Sequence, residues 1–70
     1  MTEVRAEISA NVWQVHVEPG STVAEGDTVA VLESMKMEIP VEAPAAGTIT
    51  TVAVAPSDQV QEGDLIAVIE

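Results

Sequence analysis

The chain has no cysteine, phenylalanine or tyrosine, and only one lysine, one arginine, one histidine and one tryptophan. Without cysteine, neither a disulfide nor a thiolate metal site can staple the fold. His16 stands alone, so there is no histidine cluster, and carboxylates by themselves are poor candidates for a zinc site. Metal-assisted chemistry is therefore not expected. With Trp13 as the sole aromatic, a core must be built from Val, Ile, Leu, Ala and Met, which suits close-packed strands better than a two-helix bundle. No apolar run approaches the roughly 20 residues of a membrane-spanning helix. The start, Met1-Thr2-Glu3-Val4-Arg5, lacks a positive segment followed by an apolar one, so no signal peptide is expected and the default location is cytoplasmic. Positive charge is scarce: the formal net charge is −10. That speaks against nucleic acid and anionic membranes as partners, since both need basic patches, and favours protein partners with basic docking surfaces. The 70 residues predict one domain, 1–70, burying only about 60% of its unfolded surface.

What is present is organised as a duplication. Ten of 24 positions are identical between residues 10–33 and 47–70. Val15, Val17, Pro19 and Val23 correspond to Val52, Val54, Pro56 and Val60. Glu25-Gly26-Asp27 returns as Glu62-Gly63-Asp64, and Ala30-Val31 as Ala67-Val68. Each copy reads as strand, turn, short strand, turn, strand, and neither can bury its apolar face alone. Ahead of the first copy, Val4, Ala6 and Ile8 alternate with Arg5 and Glu7 as a half-buried strand. Ser9-Ala10-Asn11 is expected to turn. Trp13, Val15 and Val17 then alternate with Gln14 and His16, which gives Trp13 the core phase. Val12 falls on the polar phase, a sign of a bulge or a strand start. The expected fold is all-β: a flattened barrel or sandwich of two antiparallel sheets, about four strands each, related by a pseudo-twofold axis.

The repeat also classifies residues. Pro19 and Pro56, Gly26 and Gly63, and Asp27 and Asp64 recur in both halves, so they serve turns. His16 matches Ala53 and lies on a polar phase, so it is read as solvated rather than as a base. Trp13 matches Thr50, which leaves room for a surface role. No nucleophile, base and orienting group fall together, so catalysis by this chain is not expected.

Beyond Glu33, which matches Glu70, the first copy runs on into a stretch that the second lacks, and the segment Glu33-Ser34-Met35-Lys36-Met37-Glu38 holds the only lysine. It lies between two apolar, β-branched stretches, Thr28–Leu32 and Ile39–Glu42, as the turn of a hairpin. With Met35-Lys36 as a two-residue turn, Ser34 faces Met37, Leu32 faces Ile39 and Ala30 faces Val41. Glu33 with Glu38, Val31 with Pro40 and Val29 with Glu42 fall on the other, wetter face. Such turns favour Asn-Gly or Gly-X, because they need positive φ, and Met-Lys is a poor fit. A local rule broken inside a consistent pattern points to a functional site. An ordinary solvated lysine between two gap-filling methionines is the alternative reading of these residues alone.

Met35-Lys36-Met37 after Glu33-Ser34, followed by Glu38 and later Pro44, resembles the biotinylation motif of biotin carboxyl carrier domains. The resemblance runs from about Val4 to Ile69 and is to the small free-standing members of the biotinyl/lipoyl attachment family. It implies the same two-sheet fold, with Lys36 at a hairpin tip as the covalently modified residue. Methionine on both sides is similar to the biotin-accepting branch, where the lipoyl branch shows Asp before and Ala after. Ser34 departs from the more common Ala at its position.

By that resemblance the chain is a carrier and not an enzyme. A biotin protein ligase would activate biotin as an acyl-adenylate, and the deprotonated amine of Lys36 would take it up as an amide. Met35 and Met37 would serve ligase and partner recognition. Biotinylated Lys36 would then carry a carboxyl group from a biotin carboxylase to a carboxyltransferase subunit, the free carrier being a monomer. Two other readings stay open: a lipoyl carrier for a 2-oxoacid dehydrogenase or glycine-cleavage-type complex, and a cofactor-free interaction module with Met35 and Met37 as a soft docking patch.

Overall fold

Eight short strands, separated by tight turns, follow the apolar alternation of the sequence, and a computed structural model describes all residues 1–70. They are β1 (Thr2–Arg5), β2 (Ala10–Val15), β3 (Thr22–Val23), β4 (Thr28–Ser34), β5 (Met37–Glu42), β6 (Gly47–Val52), β7 (Gln59–Val60) and β8 (Leu65–Ile69). They form two four-stranded sheets, ordered β1-β8-β6-β3 and β5-β4-β2-β7, and every pairing is antiparallel. Each strand of one sheet is the repeat mate of a strand in the other: β2 of β6, β3 of β7, β4 of β8 and β5 of β1. The mating of β5 with β1 extends the duplication beyond residues 10–33 and 47–70, through Val4 and Val41 and through Ala6 and Ala43.

The copies are interlocked rather than stacked. Strand β3 of the first copy pairs with β6 of the second, and β7 of the second pairs with β2 of the first. Backbone bonds come in matched sets, the first of them crossing between the copies. Gly20 N–H donates to the Ile49 carbonyl at 2.8 Å, and its mate Ser57 N–H donates to Val12 at 2.8 Å. Gly26 N–H donates to Ala43 at 2.9 Å and Gly63 N–H to Ala6 at 2.8 Å. The turn acids act locally: Asp27 Oδ2 accepts from Ala24 N–H and Asp64 Oδ2 from Gln61 N–H, each at 2.9 Å. Such side-chain caps hold the turn backbone without a partner from elsewhere.

The core is small and aliphatic, as the shortage of aromatics requires. Fully buried mates from the two sheets join one cluster, including Leu32 and Ile69, Val12 and Ile49, and Val29 and Ile66. Truncating one such leucine or isoleucine to alanine costs about 2–5 kcal/mol, from lost transfer energy and the cavity left behind.

Three expectations from the alternation are corrected. Trp13 does not take the core phase; it is 45% exposed, and Val12, 2% exposed, is the core residue. The β2–β4 register passes from Val12↔Leu32 to Gln14↔Val31, so Trp13 is the extra residue of a bulge that inverts the phase. Glu42 pairs with Thr28 and not with Val29; a second register shift between Thr28 and Ala30 turns Val29 inward, beside Ala30. Both shifts recur in the second copy, at Thr50 and Ile66. Finally, Ser9-Ala10-Asn11 is not a turn: β2 begins at the buried Ala10, the chain bends at Glu7-Ile8, and Ile8 is exposed.

Gly47 sets a limit that alternation could not show. A Cβ on it would lie 2.5 Å from Ile69 Cγ2 and 2.6 Å from the Glu70 carbonyl oxygen. The chain's C-terminal strand passes so close over β6 that only glycine fits.

Candidate functional site at a hairpin tip

Strands β4 and β5 build the site. Their register pairs Ser34 with Met37, Glu33 with Glu38, Leu32 with Ile39, Val31 with Pro40 and Ala30 with Val41, as the alternation predicts. Inward Leu32, Ile39 and Val41 anchor the hairpin on the core, leaving Met35-Lys36 as its two-residue turn. Their φ angles are +52° and +67°, positive at both central residues, the type I′ pattern that matches strand twist. Neither is Gly, Asn or Asp. The mismatch between residue type and turn geometry is thus present in the structure as backbone strain.

The tip is presented to solvent. Met35 is 92% exposed, Met37 64%, and Lys36 is exposed between them. Large apolar side chains held out of the core beside a lysine form an unusual surface, since methionine normally fills gaps inside. Lys36 makes no ion pair, whereas Arg5, the other fixed cation, is tied to Glu3 at 2.9 Å and donates to the Gly63 carbonyl at 2.7 Å. Glu33 and Glu38, directly opposite each other and exposed, give the base of the turn a negative surround. Like charges so placed are mildly unfavourable.

Other sequence candidates fall elsewhere. His16 is exposed, with Nε2 2.8 Å from Gln14 Oε1. No cluster of three metal-ligating side chains occurs. The largest groove runs between edge strands β1 and β5, lined by Val4, Leu32, Ile39 and Val41, and does not include Lys36. The exposed lysine without an ion pair makes the tip, and not the groove, the chemically distinctive place. No helix of the chain is long and apolar enough to cross a membrane. The exposed Trp13 is the surface residue that alternation misplaced; its mismatch with Thr50 was the available signal.

Comparison with known proteins agrees with this geometry. Residues 2–69 match the biotin/lipoyl family, described as "Biotin-requiring enzyme". The chain is 46% identical to the "Biotin/lipoyl attachment protein" of Bacillus subtilis over 66% of its own length and 63% of the relative's. It is 54% identical to the "Biotinylated protein TB7.3 homolog" of Mycobacterium leprae, over 69% of this chain and 68% of that one. Among solved structures, the urea carboxylase of Kluyveromyces lactis superposes with a TM-score of 0.91 at 32% identity, covering 99% of this chain and 6% of that one. A single-chain, multi-domain long-chain acyl-CoA carboxylase gives 0.88 at 32% identity, covering 94% of this chain and 7% of that one. The chain spans less than two thirds of the Bacillus subtilis relative and a small part of each carboxylase. With nearly its whole length matched, it belongs to the biotin/lipoyl family.

Proposed function

We propose that Lys36 is the residue to which biotin is covalently attached, and that residues 1–70 act as one attachment domain, a carboxyl carrier and not a catalyst. The observation that carries this reading is the turn: the only lysine of the chain stands at an exposed tip, in a positive-φ conformation unsuited to its residue type. Relatives named as biotinylated and structures named as carboxylases support biotin over lipoate. The Met-Lys-Met flanks support it independently.

The side chain present fits the group. Biotin has a carboxylic acid, and Lys36 offers an exposed primary amine that makes no ion pair. For attachment, Nζ gives up a proton to the ligase, and its lone pair attacks the activated carboxyl carbon. AMP would leave from the acyl-adenylate, Nζ would lose a second proton, and an amide bond would remain. Once bound, biotin supplies the carboxyl-carrying chemistry. The chain supplies a rigid two-sheet mount, a turn held clear of the core, and a tether that raises local concentration at each partner's site. The partners on this reading are a biotin protein ligase, a biotin carboxylase and a carboxyltransferase, met in the cytoplasm by a monomeric carrier.

The test is acylation in vitro. Incubation with a purified biotin protein ligase, biotin and ATP is expected to add one biotinyl group, read by intact mass. Lys36→Arg is expected to abolish it, since arginine keeps the charge but cannot be acylated in the same way. An adduct that survives Lys36→Arg, or none on the parent chain, overturns the assignment. A parallel reaction with a lipoate ligase is expected to leave the mass unchanged.

A further inference from the structure

The duplication provides an internal control for surface residues. A residue needed by the fold should have a similar mate in the copy that lacks the lysine tip; a residue needed by the tip should not. The outer side of the β5-β4-β2 sheet carries Pro40, Val31 and Trp13. Val31 pairs with Pro40 on one side and with Gln14 on the other, and Trp13 is the bulge residue next to Gln14. Pro40 and Trp13 are exposed and Val31 is half-buried. Their mates are Glu3, Val68 and Thr50, in the same arrangement: Glu3 pairs with Val68, and Thr50 is the residue skipped at the matching bulge. The backbone therefore tolerates polar side chains at two of these three places. Only the lysine-bearing sheet makes them apolar, and it places there the single aromatic of the chain.

The patch has a charged border. Glu33 and Glu38 lie between it and the tip, Glu42 lies beyond Pro40, and none of these carboxylates is in an ion pair. The net charge of −10 extends the same sign over the whole molecule. A partner that covers this face must bring cations to its rim and an apolar pocket to its centre.

We propose that Trp13, Val31 and Pro40 are the docking surface for the enzyme that acylates Lys36, and that this enzyme presents an apolar pocket flanked by arginine or lysine. The proposal rests on Lys36 being the acceptor. The ligase is favoured over later partners by reach. An enzyme acting on the bare amine has only one lysine side chain of length available, so its body must close against the tip and the sheet face beside it. An enzyme served by the loaded, longer arm can stand further away. Tryptophan suits the anchor role: it buries a large area at little conformational cost, and it is enriched among residues that dominate interface energy.

The experiment is steady-state acylation by a purified biotin protein ligase with biotin and ATP, varying the carrier concentration, alongside thermal melts. Trp13→Thr, which installs the mate's residue, is expected to raise KM by about tenfold or more with kcat little changed. Pro40→Glu, again the mate's residue, is expected to raise KM. Trp13→Phe is expected to stay near the parent value, as is Thr50→Ala on the opposite sheet. Melting temperatures of all four should stay close to the parent, because the substituted side chains are exposed. An unchanged KM in folded Trp13→Thr and Pro40→Glu overturns the docking surface while leaving Lys36 as acceptor. An equal rise in Trp13→Phe and Thr50→Ala also overturns it. Absence of any adduct on the parent chain is a different result, and removes the reading of Lys36 beneath it.

Discussion

Met35 and Lys36 occupy the left-handed region, where an ordinary L-residue costs about 1–2 kcal/mol relative to its preferred conformation. For a domain whose whole stability is of order 5–15 kcal/mol, that is a large local concession. Replacing the pair by the sequence the turn prefers, Met35→Asn with Lys36→Gly, should therefore stabilise the protein by about 1–2 kcal/mol while removing the only lysine amine. At roughly 4–8 °C per kcal/mol for a domain of this size, the gain should be visible in a thermal melt. A lower melting temperature would mean that the tip side chains contribute to folding after all. Ser57, at φ +78°, is a second case, the mate of Gly20 at +97°. Ser57→Gly should stabilise by only a few tenths of a kcal/mol, because the freedom glycine gains in the unfolded chain offsets most of the relief. The opposite holds at Gly47, where the added methyl of alanine meets backbone as well as a side chain. Gly47→Ala should cost more than about 2 kcal/mol in urea unfolding, the upper part of the usual range for overpacking.

At the scale of the element, the hairpin was the most legible part of the chain. Leu32, Ile39, Ala30 and Val41 alternate cleanly, and a two-residue turn leaves only one register that keeps them on one face. The bulge in β2 was signalled only by Val12 falling on the polar phase, and the one in β4 by nothing. A bulge inverts the phase of everything beyond it, and single-strand alternation cannot say which residue is the extra one. Trp13 and Val29 were accordingly misplaced, and only the cross-strand partners Leu32, Val31, Thr28 and Glu42 reveal the shifts. Gly47 escaped notice because its constraint comes from Ile69 and Glu70, distant in sequence. On the hairpin itself, Met35→Asp with Met37→Ala should change stability by no more than roughly 1 kcal/mol, as for surface substitutions. The same double change should sharply lower biotinylation. A large fall in melting temperature would assign those methionines a packing role. Pro40 sits on β5, an edge strand, where it lacks an N–H to offer a second chain, and the neighbouring Glu38 and Glu42 add charge.

For the whole molecule, the exchange of β3 and β7 between the copies makes each half depend on the other. A fragment of residues 1–38 keeps β4 but loses most of β5 and all of β6, β7 and β8, so its buried faces at Val12, Val29 and Leu32 lack the opposite sheet. It should show no cooperative thermal transition; a sharp melt would contradict the interlocked arrangement. The intact domain sets one strained, lysine-bearing turn on this mutually supported frame, which holds the Lys36 amine out to solvent. The most direct measurement is the intact mass of the protein from the cell that makes it, followed by fragmentation to locate any adduct. The prediction is a single biotinyl group on Lys36, within the segment Met35-Lys36-Met37. An unmodified mass, a lipoyl adduct, or a biotinyl group at any other position would contradict it.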